Sequence, residues 1–360
     1  MAELTGRERY DLLMHHKKPD RIGLYEHFWG DTHRKWTDEG KISKGFDLSQ
    51  HFGFDCNESW CLNFAGNLDY KNEVVAEDED TITVKNQNYA ILRSHKKHDS
   101  TPEHVGFTVD CRDKWEELIK HHIKAEDRRI GYDGYRNAKK YAADNQIFFQ
   151  WSGINVFEIV KDVCGHENLL MAMIDDPDWV HDMVNTFADA NIGMWEMLFA
   201  KEGKPDGIWY YEDLGYKGSP FMSPAMYREF IMPAHIKTFA AAHAMGLPVM
   251  VHSCGYVYPL LPHMIEAGMD GLQVIEIKAG MDLLKIHKEY GDKIALMGGI
   301  DVRALYTNDR AIIDKELEAK IPIVKQGFAY MLHSDHSIPN TVDYDTYRYF
   351  VDRALEMGGY

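Results

Sequence analysis

From residue 147 onward the chain alternates short apolar runs with longer amphipathic stretches, and no other feature restricts its fold as strongly. Stretches 147–151, 207–211, 247–251, 271–275, 294–297 and 330–332 are apolar, several of them β-branched or aromatic, and end in small or polar residues. Runs of that kind read as buried strands entering loops. Between and after them, 157–163, 167–174, 178–198, 225–231 with 234–244, 258–267, 282–290, 309–325 and 344–357 carry helical spacing. Ser223-Pro224 is a natural cap and first-turn pair for one of these helices. Strands separated by helices pair in parallel, because a parallel pair needs a long crossover. With 360 residues, eight such units closed on themselves fit the length better than an open sheet. The expected architecture is therefore α/β, a single (β/α)8 TIM barrel.

The first part of the chain is less regular. A helix is predicted over 5–15 with Thr5 as its cap, then a strand over 22–29 with an aromatic end. The stretch 52–55 reads as a short strand or turn that delivers Asp55 and Glu58. Residues 70–110 alternate polar and apolar, as antiparallel hairpins do, and helices follow over 113–130 and 132–144. No composition break or Pro/Ser-rich linker interrupts the chain, so one domain over 1–360 is expected, with approximately 1–145 as a β-hairpin and helical elaboration and 146–360 as regular units. A net charge of −17 argues against nucleic acid or an anionic membrane as partner. No apolar run reaches 18 residues and the first residues are charged, without a signal peptide, which fits a soluble cytoplasmic protein. The five cysteines form no regular framework and read as reduced thiols.

Barrels of this class carry their chemistry at the C-terminal ends of the strands. Those ends read Glu26-His27-Phe28-Trp29, Gln150-Trp151, Tyr210-Tyr211-Glu212-Asp213, His252-Ser253-Cys254, Gln273 with Glu276, Gly298-Gly299-Ile300-Asp301, and His333-Ser334-Asp335-His336. Nearly every one offers a metal-capable group, a proton-transferring group or a large aromatic. His252 and Cys254 stand two apart, so they share one strand face and can grip one ion. Imidazole nitrogen and thiolate sulfur together suit Zn²⁺. A third ligand is available from His333 or His336, and a carboxylate from Glu212 or Asp213. Such a mixed set with an exchangeable position is catalytic in type, since structural zinc sites are closed and usually cysteine-rich.

These residues also carry a resemblance. Tyr211-Glu-Asp-Leu-Gly215, Ser223-Pro-Ala-Met-Tyr-Arg-Glu-Phe-Ile-Met-Pro233, His252-Ser-Cys-Gly255, Gly298-Gly-Ile-Asp301 and Ser334-Asp-His-Ser-Ile-Pro339 occur jointly and in this order. With them the chain resembles the uroporphyrinogen decarboxylase superfamily, and within it the zinc-dependent methyltransferases that serve corrinoid proteins, above all the methyltransferase I components of O-demethylase systems. Those methyltransferases hold zinc with His-x-Cys and a distant Cys. No Cys follows Cys254, and by position His336 stands in its place. The resemblance thus implies zinc on His252, Cys254 and His336, with Glu212 as the fourth ligand. A site with a single sulfur is more electrophilic and suits activation of an oxygen atom.

The implied activity is methyl transfer from a methylated oxygen donor, an aryl methyl ether, to Co(I) of a corrinoid. Asp213, Asp301 and Asp335 are the candidates for orienting carboxylates, and Tyr25, Phe28, Trp29, Trp60, Trp151 and Tyr211 for holding the ring. The corrinoid-binding pattern Asp-x-His-x-x-Gly does not occur, so the corrinoid is expected on a partner protein. The alternative is a porphyrinogen decarboxylase, whose propionate-binding arginines are expected just after the first strand. That segment is acidic and aromatic here, with Arg34 its one guanidinium, although Asp55 stands where those decarboxylases carry a functional Asp. Methylamines or betaines, methanol and thiols are further conceivable donors, and a non-catalytic metal-holding scaffold is the least expected reading.

Overall fold

The computed structural model describes residues 3–97 and 100–360. The expectations touching Met1 and Ala2, and residues 98 and 99 of the hairpin region, lie outside them. Eight strands form one parallel sheet: β1 (Gly23–Leu24), β2 (Cys56–Trp60), β7 (Phe148–Ile154), β8 (Gly207–Tyr211), β11 (Val249–Ser253), β12 (Gly271–Val274), β13 (Ala295–Gly298) and β14 (Tyr330–Leu332). Their order around the sheet is β1-β14-β13-β12-β11-β8-β7-β2. Four further strands, β3 (Glu73–Glu77), β4 (Thr81–Lys85), β5 (Ala90–His95) and β6 (Glu103–Phe107), make the expected antiparallel excursion. A small ribbon, β9 (Gly215–Tyr216) with β10 (Ser219–Pro220), follows β8.

The two edges of the parallel sheet meet at Asp55. Its N–H donates to the carbonyl of Leu24 (2.9 Å), and its carboxylate accepts from the N–H of Leu24 (2.8 Å). The same carboxylate takes Arg9 Nη1 at 2.6 Å and Arg21 Nη1 at 2.8 Å. A backbone-like ladder step and two guanidinium pairs thus close the curl where β1 is too short to pair along its length. The N-terminal helix Gly6–Met14 starts at the expected cap, with Thr5 and Glu8 in a reciprocal capping box. It seals the N-terminal end of the barrel: Tyr10 stacks on Phe148 with ring centroids 4.5 Å apart.

Most boundaries agree with the sequence reading within a few residues. Three differ for physical reasons. The strand placed at 52–55 instead begins at Cys56, because Gly53 takes a left-handed conformation (φ +71°) and ends a short helix there. The helix over 113–130 stops at Leu118 and continues as 3-10 turns, held by the buried Arg129 donating to the carbonyls of Asn63, Ala65 and His122. Between Pro224 and Ala244 a π-helical turn, Tyr227–Ile231, precedes the α-helix Met232–Ala244; Pro233 has no N–H to close a normal turn.

Asp55→Ala removes one of the two carboxylates on buried Arg9, leaving Asp20, and takes away the side-chain acceptor of the Leu24 N–H and the carboxylate paired with Arg21. The expected cost is about 3–5 kcal/mol of unfolding free energy, read from urea denaturation. A loss below about 1 kcal/mol, the range of an ordinary surface change, would contradict the closing role.

Candidate metal centre

Side chains two apart on a strand share a face, and that parity selects which strand-end residues meet. On β8, Trp209 and Tyr211 turn inward, and the ladder runs one residue further, with the Glu212 N–H donating to the carbonyl of His252 (2.9 Å). Asp213 therefore also turns inward, and Glu212 turns out toward the helices. On β11, His252 points inward and Cys254 follows on the same side. The result is a three-donor cluster: one ligand atom each from Asp213, His252 and Cys254 lies within 4.8 Å of the other two. His252 Nε2 is 3.3 Å from Asp213 Oδ1 and 3.3 Å from Cys254 Sγ.

The turn carrying Cys254 is tightly specified. Its N–H donates to Asp213 Oδ1 at 2.8 Å, and the next N–H, of Gly255, donates to Glu276 Oε2 at 2.6 Å. Gly255 has φ +80°, and a Cβ there would meet the Gly215 carbonyl carbon at 2.2 Å. Only glycine passes β9 this closely. The cluster opens on a cavity of about 360 Å³ at the C-terminal ends of the strands, lined by His27, Trp29, Glu58, Trp60, Tyr211, His252, Cys254, Gln273, His333 and His336, with Thr101 from the β5–β6 connection. Larger clefts exist. One of about 720 Å³ lies at the opposite end of the barrel around Arg7, Lys139 and Asp206, and among the described residues it gathers no comparable donor set.

Hydrogen bonding fixes the tautomers along this wall. His333 Nδ1 faces the Ser334 carbonyl, which can only accept, so Nδ1 carries the proton. Burial holds His333 neutral, well below the ordinary imidazole range, aided by neighbouring His27. Its Nε2 is then an acceptor, and Gln273 must turn its NH2 toward it (3.4 Å). Gln273 Oε1 consequently faces His252 Nδ1, which donates to it. His252 Nε2 is left aimed at Asp213 and Cys254, the nitrogen that would meet an ion once its proton is displaced. An orienting partner of this kind on the remote nitrogen is typical of metal-ligating histidines.

The donor set fits a borderline cation such as Zn²⁺: one imidazole nitrogen, one thiolate and one carboxylate, with the fourth direction facing a cavity. In the metal-free protein both nitrogen and sulfur hold protons. Burial works against a charge on His252, but Cys254 and Asp213 outweigh it and raise its pKa well above the ordinary value. Burial raises the Cys254 thiol.

A second network occupies the same cavity. Glu58 accepts from Tyr211 OH (3.1 Å) and Tyr25 OH (3.3 Å), and faces His27 Nε2 (3.1 Å). His27 Nδ1 lies 3.0 Å from His333 Nε2. Burial alone would raise the Glu58 carboxyl, yet its bonds with His27 and other donors hold it below the ordinary range.

Of the expected ligands, His252 and Cys254 meet, whereas His336 lines the same cavity but lies outside the three-donor cluster. Glu212 is not brought there. Fully buried, it accepts from the N–H groups of Phe157 (2.8 Å) and Glu158 (3.0 Å), capping the helix Val156–Cys164, and from His235 Nε2 (2.7 Å). Asp213 takes the carboxylate position in its stead. Asp301 caps the helix Val302–Tyr306 and pairs with Arg303. Asp335 accepts from the N–H groups of Ile277 and Val302 (2.9 and 2.8 Å), and burial pushes its carboxyl up to about 6. Neither lines the cavity.

Of the aromatics, Trp29, Trp60 and Tyr211 line it. Tyr25 lies beneath, reaching Glu58. Phe28 packs on Trp36, Phe54 and Tyr347, and Trp151 is turned outward against Trp195 and Tyr210, so both are core. His27, Glu58 and Gln273 are strand-end or near-strand groups to which the sequence assigns no role, and His333, the alternative third ligand, lines the cavity outside the three-donor cluster. Their signal is alternation: each shares the inward phase of its strand.

A family model described as uroporphyrinogen decarboxylase (URO-D) matches residues 157–357. The chain is 25% identical over 180 residues to a uroporphyrinogen decarboxylase of Streptomyces avermitilis, covering 50% of this chain and 48% of that one. It is 24% identical over 152 residues to a methylated-thiol–coenzyme M methyltransferase of Methanosarcina mazei, covering 42% and 38%. The chain thus spans about half or less of the length of these two relatives. Among solved structures, a methyltransferase from Methanosarcina mazei superimposes with a TM-score of 0.68 at 15% identity, over 98% of this chain and 99% of that one. That likeness supports the barrel assignment.

Metal uptake by this cluster must displace protons from His252 and Cys254. Zinc affinity is therefore expected to rise between pH 6 and 8, with roughly one to two protons released per ion, measured by calorimetry in buffers of different ionisation enthalpy. Gln273→Ala should weaken binding roughly 10- to 100-fold. Affinity independent of pH, with no proton release, would contradict this donor set.

Proposed function

The chain belongs to the uroporphyrinogen decarboxylase family, and on that premise we propose that it is a zinc-dependent methyltransferase serving a corrinoid protein. The reaction is transfer of a methyl group from the oxygen of an aryl methyl ether to Co(I) of a corrinoid carried by a separate protein, an O-demethylation. The observation that carries the reading is the convergence of Asp213 with His252 and Cys254, the latter two lining a cavity at the strand ends. A zinc ion bound there supplies a Lewis acid for the methyl-bearing oxygen, whose departure as a phenolate is otherwise slow. One sulfur among three donors favours an oxygen donor over a thiol.

The protein's own groups do the rest. Gln273 holds the His252 ring with Nε2 toward the cluster. Trp29, Trp60 and Tyr211 give the cavity flat apolar walls on which an aromatic ring can lie, and Tyr211 itself stacks on His252 with centroids 4.7 Å apart. His336 lines the same cavity, and in this reading it completes the ligand set or contacts the donor. The partner must approach from the open end, because the other end is sealed by Tyr10 and Phe148.

Porphyrinogen decarboxylation is the competing reading, prompted by the likeness to the Streptomyces avermitilis decarboxylase. Its substrate carries many carboxylates and needs cationic partners. Among the described residues no Lys or Arg lines the cavity. Arg9 and Arg21 are committed to Asp55 at the seam, so that Asp serves closure, and Arg34 pairs with Asp31.

Zinc-loaded protein is expected to demethylate a methoxy-aromatic only when reduced corrinoid protein is added, and His252→Ala should lower the rate at least about a hundredfold. The assay follows methyl-cobalt formation by visible absorbance across a panel of ethers, amines, methanol and thiols. Turnover of uroporphyrinogen without metal or corrinoid would overturn the reading in favour of decarboxylation.

A further inference from the structure

In the same cavity as the metal cluster, His27 and Glu58 form a partly buried pair that the methyl transfer does not use. His27 joins the two sides of the cavity through its ring nitrogens. His333 Nε2 is an acceptor, as the Ser334 carbonyl dictates, so His27 Nδ1 donates to it at 3.0 Å. His27 Nε2 lies 3.1 Å from both Glu58 Oε1 and the Tyr211 hydroxyl. Glu58 also accepts from Tyr25 and Tyr211. These four groups, Tyr25, Glu58, Tyr211 and His333, are the titratable neighbours that His27 meets from β1, β2, β8 and β14.

This pair has a definite selectivity. A desolvated carboxylate in the wall attracts a donated hydrogen and repels a second carboxylate. No Lys or Arg among the described residues lines the cavity to receive an anion; Lys278, which lies near His336, is paired with Glu276 at 3.4 Å. The cavity of about 360 Å³ accommodates one substituted ring.

We propose that Glu58, positioned by His27 and Tyr211, is the specificity-determining acceptor for a hydroxyl on the methyl donor, and that the site takes uncharged methoxyphenols in preference to methoxybenzoates. The proposal rests on the methyl-transfer reading for its substrate class. Its test does not, because it reads equilibrium binding without corrinoid.

The experiment titrates 2-methoxyphenol, 2-methoxybenzoate and unsubstituted methoxybenzene into the full-length zinc-loaded protein by calorimetry, and repeats this with Glu58→Gln and His27→Gln. The wild type is expected to bind the phenol roughly 10- to 100-fold tighter than the benzoate, the range of a hydrogen bond to a charged group. Glu58→Gln should weaken the phenol and strengthen the benzoate, bringing the ratio within about threefold of unity, with methoxybenzene nearly unchanged. Strengthened benzoate binding is a gain that a loosened cavity would not produce, and a circular dichroism melt confirms that each variant is folded. Equal binding of phenol and benzoate by the wild type would overturn the proposal. So would a Glu58→Gln variant that weakens all three ligands alike, or a His27→Gln variant that leaves the ratio intact. If the binding ratio holds but no methyl reaches reduced corrinoid, the subsite stands and the transferase reading falls.

Discussion

The strict alternation of side chains along a parallel strand governs everything this barrel does at its open end. Each strand can send only every second residue into the interior. Tyr25 and His27, Glu58 and Trp60, Trp209, Tyr211 and Asp213, His252 and Cys254, Gln273, and His333 all occupy inward phases. Their neighbours face the helices and are used there for capping, as Glu212 is, or for packing, as Trp151 and Tyr210 are. Because the strands are hydrogen-bonded in fixed register, His252 beside Tyr211 and Gln273, the inward groups arrive as contiguous clusters. A one-residue slip on β8 would exchange Asp213 for Glu212 and remove Tyr211 from the cavity.

Within that constraint, chemistry is assigned by a few groups whose roles cannot vary. The Ser334 carbonyl can only accept, and from it the protonation of His333, the orientation of Gln273 and the tautomer of His252 follow in turn. The same acceptor nitrogen on His333 fixes one donor of His27. The metal wall and the Glu58 wall are therefore ordered through a single imidazole. Such a network is costly if partly satisfied and rigid if complete, because each buried polar group depends on the next. The close pass of Gly215 and Gly255 does for the backbone what these bonds do for the side chains: it sets Cys254 opposite Asp213 with no freedom for a larger residue.

Much of this was legible before any coordinates. The alternation of strand and helix after residue 147 announces a parallel barrel, and polar strand ends announce where its chemistry lies. What could not be read is phase. Glu212 and Asp213 are adjacent carboxylates, and only the ladder bond from the Glu212 N–H decides between them. Glu58 went unassigned because the strand was placed four residues early, on an apolar run that the left-handed Gly53 in fact breaks. Asp301 and Asp335 sit at a strand end as a catalytic carboxylate would, but a helix begins there too. Capping needs the same residue types at the same places, and sequence spacing does not separate the two uses. Phe28 and Trp151 show the same ambiguity for aromatics, since core and pocket draw on one set of side chains.

The account turns on one ion bound by one sulfur. X-ray absorption at the zinc edge of the metal-loaded protein measures that first coordination sphere directly. The structure predicts a single sulfur scatterer at about 2.3 Å with the remaining ligands nitrogen or oxygen at about 2.0–2.2 Å, and loss of the sulfur shell in Cys254→Ser. Two or more sulfurs, or a sulfur-free shell in the unmodified protein, would contradict it.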